Sequence, residues 1–106
     1  MRPIVLTKTG TGASSGMAVM DHYQTPFNAG IGVVVSGTVN YTIQHTFDDV
    51  LDGAVTPAWF NHPTLASQTA AADGNYAFPV RAVRVFVNSG SGTATATVIQ
   101  AGMPGR

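Results

Sequence analysis

Strict alternation of side-chain character is the feature that most limits what this chain can become. Val83, Val85 and Val87 fall on one side of a run whose other side carries Arg84 and Phe86; further on, Ala94, Ala96 and Val98 oppose Thr93, Thr95, Thr97 and Ile99. The stretch VNYTIQHTF alternates in the same way, with Val39, Tyr41, Ile43, His45 and Phe47 sharing a face. A period of two is the period of a strand, and no segment keeps apolar residues at spacings of three and four long enough for a helix. Each strand must therefore turn one face to a core. A lone sheet of this length has nothing to cover that face, so the pattern predicts an all-β protein of two packed sheets.

Turn chemistry supplies the punctuation. Pro3–Thr9, Met17–His22, Ile31–Val35, the stretch from Val39, Thr56–His62, Tyr76–Val87 and Thr93–Ile99 read as strands, separated by Gly, Ser, Asn and Pro. Ser36 and Gly37 predict a tight turn between two strands, with one long strand carrying a glycine bulge as the alternative. Asp73-Gly74 is a turn signal, Ala70 to Ala72 allows one helical turn, and Pro79 confines its strand to an edge or a bulge. NSGSG predicts a C-terminal hairpin joining the last two strands. About seven or eight short strands so spaced describe an antiparallel β-sandwich, immunoglobulin-like or jelly-roll-like. With 106 residues there is material for a single domain, residues 1–106, with glycine-rich ends at 1–16 and 101–106 suited to act as arms that order on binding.

Charge is scarce. Only 9% of residues are charged, against about 25% in an ordinary soluble domain, glutamate is absent, and the formal net charge is +0. Such a surface of Thr, Ser, Asn, Gln and Gly suits a protein packed against neighbours. The five basic residues, Arg2, Lys8, Arg81, Arg84 and Arg106, are scattered, which argues against a nucleic-acid partner. No apolar run approaches the length of a membrane-spanning helix, and Ile4 to Leu6 is too short for a signal-peptide core, so synthesis and retention in a cytoplasm are expected. Without cysteine there is no disulfide, thiolate metal site or cysteine nucleophile.

The stretch YTIQHTFDDVLDG gathers the most chemistry-bearing residues. His45 lies on the apolar face of its strand between Ile43 and Phe47, the setting of a packed histidine near a strand end. Asp48, Asp49 and Asp52 follow at once, where aspartates shape loops by bonding nearby backbone amides. They are weak candidates for calcium, because the spacing is not that of a calcium loop and no bidentate glutamate follows. His22, His45 and His62 show no zinc-binding spacing. GASSG lacks the central serine of a nucleophile elbow, and TGTGASSG lacks the lysine and helix of a phosphate loop. No catalytic residue and no cofactor are expected. Trp59 and Phe60, adjacent on a strand, point to opposite faces, and Phe86 lies beside Arg84 away from the valine stripe; these four are the interface candidates.

Two segments, YTIQHTFDDVLDGAVTPAWFNHP and TAAADGNYAFPVRAVRVFVNSGSGTATATVIQAG, resemble a set of motifs in small virion proteins of tailed bacteriophages. The shared features are a strand closing in an acidic F-D-D loop, a W-F-x-H-P segment, a D-G-N turn, an F-P-V-R-A-I/V-R strand and a final S-G-T-G hairpin. The likeness runs from Tyr41 to Gly102. It implies a non-enzymatic β-sandwich bound to the capsid as a decoration or cement protein, or placed at the head-to-tail connection or in the tail. The implied partners are the phage major capsid protein or other virion proteins, with further copies of the chain, a trimer being favoured. Two rivals are a carbohydrate-binding module using Trp59, Tyr76 or Tyr23 as stacking platforms, and a small hydrolase pairing His45 with Asp48 or Asp49.

Overall fold

The computed structural model describes residues 4–14, 16–20, 28–51, 53–54 and 56–100. Nine strands follow in order: β1 (Ile4–Thr9), β2 (Gly12–Ala13), β3 (Ala18–Val19), β4 (Ala29–Ser36), β5 (Val39–Thr46), β6 (Trp59–Asn61), β7 (Ala72–Tyr76), β8 (Ala82–Gly90) and β9 (Thr93–Gln100). They form two antiparallel sheets, one ordered β1-β9-β4-β7 and the other β2-β8-β5-β6, with β3 also paired to β8. Among the described residues no helix is long and apolar enough to cross a membrane.

The inward faces are those the alternation marks. Leu6, Ile31, Val33, Ala94, Ala96 and Val98 from the first sheet meet Val39, Tyr41, Ile43, Val83, Val85 and Val87 from the second in one buried cluster. β9, and β8 from Val83 to Val87, alternate buried with more exposed positions, as a two-layer packing requires, whereas β5 also buries Thr42 and Thr46 on its other face. The layers are interleaved in sequence: β1, β4, β7 and β9 build one sheet, and β2, β3, β5, β6 and β8 the other. This connectivity, in which the chain repeatedly crosses between sheets and its first and last strands pair, is that of a jelly roll.

The crossing corrects the predicted hairpins. β8 and β9 are not hydrogen-bonded neighbours; β8 pairs with β5 while β9 lies between β1 and β4. The Ser36-Gly37 turn likewise joins β4 in one sheet to β5 in the other. A hairpin would place both apolar stripes on one face of one sheet, whereas an arch makes them face each other across the core. Gly90 permits the arch: its φ is +100°, and a Cβ there would lie on the Thr38 carbonyl oxygen. The neighbouring corner is tied by the Gly92 N–H, which donates to Thr38 O at 2.8 Å.

Other expectations change too. Asp73-Gly74 is no turn but the middle of β7, opposite Gly32 and Ile31 of β4. Gly74 is needed for close approach, since a Cβ would sit 3.0 Å from Leu65 Cδ1 and 3.3 Å from His62 Cε1. The chain leaves the sheet between Tyr76 and Ala82, so the predicted strand from 76 to 87 is divided between β7 and β8, which extends to Gly90. Ala70–Ala72 makes no helical turn. Within residues 1–16, Ile4–Thr9 pair with β9 and Gly12–Ala13 with β8. Residues 101–106 lie outside the described residues.

Candidate functional site

The motif residues converge at the end of the sandwich where β5 and β7 finish and β6 begins. His45 pairs with Phe60 across β5 and β6, which sets their side chains on the same face. Phe47 follows just beyond β5 and Phe78 just beyond β7, where the sheets separate. Four rings surround the His45 imidazole: Tyr76 at 5.0 Å, Phe47 at 5.4 Å, Phe78 at 5.5 Å and Phe60 at 6.0 Å between centroids. Phe47 also lies 5.8 Å from Phe60 and 6.4 Å from Phe78. His45 is buried, yet Phe47, Phe60 and Phe78 remain 50%, 51% and 40% exposed. The result is a contiguous aromatic surface on a rigid floor. The sequence points to Phe60 as a contact residue, whereas period two alone assigns Phe47 to the core and gives no reason to single out Phe78.

The floor is fixed by hydrogen bonds. His45 Nδ1 and the Tyr76 hydroxyl are 2.9 Å apart. Burial pushes the His45 pKa down, and the nearby His62 adds to the effect; burial pushes the Tyr76 hydroxyl up. His62 donates from Nε2 to Asn75 O at 2.8 Å, while its Nδ1 accepts the Thr64 and Leu65 N–H groups, both at 3.1 Å. That arrangement selects the neutral Nε2–H tautomer and leaves neither nitrogen of His62 open to a metal. The H-P of one motif thereby interlocks with the D-G-N of another, because the loop His62–Leu65 lies directly over Gly74.

The aspartate loop is bound internally. Asp48 Oδ2 accepts the Ala58 N–H at 2.7 Å, closing the base of the loop, and Asp49 Oδ1 accepts the Leu51 N–H at 3.0 Å. Asp49 Oδ2 lies 3.6 Å from Arg81, joining the F-D-D and F-P-V-R motifs. Asp52 lies outside the described residues. Among the described residues no three His, Asp or Glu side chains are grouped to hold a metal. The hydrolase pairing is not assembled either: the ring nitrogen of His45 meets Tyr76, and Asp48 and Asp49 turn to backbone amides and Arg81. Ser14 is buried, donates to Gly16 O at 2.8 Å and accepts the Val85 N–H at 3.3 Å, a strand-end staple; Ser15 and His22 lie outside the described residues.

Arg84, Trp59 and Phe86 meet on the outward face of the second sheet. The Arg84 guanidinium lies 4.1 Å above the Trp59 ring and 5.6 Å from Phe86, and its Nε donates to Gln44 Oε1 at 2.8 Å. Partial burial lowers the Arg84 pKa. Trp59 and Phe86 are half-buried, so Trp59 offers no bare ring for a sugar; Tyr76 is fully buried and Tyr23 lies outside the described residues. At the opposite end of β5, a cavity of about 340 Å³ is lined by Gly37, Thr38, Val39, Asn40, Thr69 and Ser89, with no titratable side chain to act as acid or base.

No protein-family model matches this chain, and a search of curated proteins finds no match.

Proposed function

We propose that the chain is a non-enzymatic structural module of a tailed-phage particle, made in the host cytoplasm and incorporated into the virion, where it binds the capsid as a decoration or cement protein. The observation that carries this reading is the exposed Phe47–Phe60–Phe78 surface around buried His45. Aromatic rings that are half-exposed and held rigidly from below have the composition of interface hot spots. Support also comes from the motif resemblance, whose F-D-D, W-F-x-H-P and F-P-V-R elements supply Phe47, Phe60 and Phe78, with Phe47 in contact with both of the others. Jelly rolls recur in viral shells and in lectins, an association that favours the reading without specifying a partner.

Co-sedimentation with capsids lacking this chain tests the proposal. Saturable binding is expected, and Phe60→Ser or Phe47→Ser is expected to weaken it by about 30-fold, the effect of losing a hot spot worth about 2 kcal/mol. Binding to purified connectors or tails in place of capsids supports the connector or tail position instead. A folded chain that binds none of these particles sinks the proposal.

A further inference from the structure

The outward face of the β1-β9-β4-β7 sheet carries a feature that the fold itself does not require. β4 bears Gly30 and Gly32 at consecutive outward positions. Glycine in a strand costs backbone entropy, and three intramolecular reasons normally justify it: a positive φ, a bulge or a crowded neighbour. None applies. Neither residue has a positive φ; both lie in unbroken register with β9 and β7; a Cβ on Gly32 would meet nothing within 4 Å, and one on Gly30 only the Ile99 carbonyl oxygen at 4.0 Å. Among the described residues nothing crowds these two positions, which leaves room for close approach by something from outside.

We propose that this face is a self-complementary interface to a second copy of the chain. Gly30 and Gly32 form the floor of a shallow trough, bounded by Ile99 and Thr97 of β9 on one side and by Asn75 and Asp73 of β7 on the other. The same face bears the protrusions that would fill such a trough, Val34, Val5 and Ile99, of which Val34 is 66% exposed. A two-fold axis lying across β4 at Gly32 sets Val34 of each copy over Gly30 of the other, and Ile99 over Thr95. Knob and hole on one surface are what an isologous contact demands.

Charge sets a limit on the contact. Asp73, on the edge strand opposite Gly32, is the only ionisable side chain that alternation places on this face among the described residues. The two-fold at Gly32 brings the two copies' Asp73 side chains towards each other at the exposed rim, a like-charge approach that solvent screens and that Asp73→Asn is expected to relieve, strengthening association. Four strands of this length cover about 500 Å² per copy in plan, and a two-fold pair therefore buries about 1,000 Å², the lower bound for a specific interface. This interface is separate from the phenylalanine surface, which leaves that end of each copy free for another partner.

Sedimentation equilibrium of the full chain tests the proposal. The wild type is expected to form a two-chain species. Gly32→Val, which adds a strand-favouring side chain where the single copy has space, is expected to weaken association at least about tenfold without lowering the melting temperature of the monomer. Val34→Lys, an exposed substitution that the fold tolerates, is expected to do the same, and Phe60→Ser to leave the dimer intact. A wild type that stays monomeric to about millimolar concentration overturns the inference, as does a trimer, or a dimer indifferent to both Gly32→Val and Val34→Lys. Capsid binding is read separately through Phe60, so neither proposal stands or falls with the other.

Discussion

The His45 Nδ1 atom and the Tyr76 hydroxyl share a 2.9 Å hydrogen bond that crosses the sandwich from β5 of one sheet to β7 of the other. Both side chains are buried, so no water replaces a lost partner easily. Tyr76→Phe is expected to lower unfolding stability by about 1–3 kcal/mol, the desolvation cost of an orphaned polar atom. Combining it with His45→Phe removes both partners, and the double variant is expected to lose less than the sum of the two single losses. Urea unfolding of the four proteins measures the coupling; strict additivity would contradict a direct bond.

The same burial predicts an acid-sensitive fold. The His45 pKa is lowered in the folded chain, by desolvation first and by His62 second, from an ordinary value of 6.5. The unfolded chain therefore binds more protons than the folded one once pH drops below about 6.5. The contribution of neutral His45 is complete above that pH, declines as pH falls, and is fully lost only when pH has passed below the folded-state value. Rings of Phe47, Phe60, Phe78 and Tyr76 face His45, and among the described residues the titratable groups beside it are the Tyr76 hydroxyl and His62. Urea midpoints at about pH 7.5 and about pH 5 are expected to show this loss, and His45→Phe to reduce the difference between them.

Gly90 sits where β8 leaves one sheet for β9 in the other. With φ at +100° and the Thr38 carbonyl directly over its α-hydrogen, Gly90→Ala is expected to destabilise the fold by more than about 1 kcal/mol, through backbone strain and steric overlap together. Thermal unfolding checks it. An unchanged melting temperature would mean that the two arches do not touch as described.

Alternation made the two-layer all-β architecture legible, because Val83, Val85 and Val87 or Ala94, Ala96 and Val98 demand an opposing layer whatever their connectivity. It left connectivity open. NSGSG suits a hairpin and an arch equally, and the choice between them follows from long-range pairing of β9 with β1 and β4, which no local signal encodes. Asp73-Gly74 misleads for a related reason: the glycine answers to Leu65 and His62 packed above it, not to a turn. At the candidate site, Phe60 was legible as one of two adjacent aromatics on opposite faces. Phe47 continues the apolar stripe of β5 past the point where the second layer ends, so period two assigns it to a core that is no longer there. The Arg84 contact to Trp59 joins residues from β8 and β6, strands paired through β5, and emerges only with the sheet order.

The acidic loop allows a direct comparison between loop closure and cation binding. Asp48 Oδ2 accepts the Ala58 N–H at 2.7 Å, a charge-assisted bond across the loop that follows β5. Asp48→Ala is expected to lower stability by about 1 kcal/mol, and Asp48→Asn, which keeps an acceptor oxygen, by less. Asp49 is turned to Leu51 and Arg81, so its oxygens are likewise engaged. Millimolar calcium is therefore expected to leave the melting temperature where EDTA leaves it. A cation held with a dissociation constant of about 0.1 mM would add roughly 1.4 kcal/mol at about 1 mM, a rise easily seen by calorimetry. If that rise appears and Asp48→Asn abolishes it, the loop opens from its internal bonds to bind the ion, and the carboxylates hold a metal as well as the backbone.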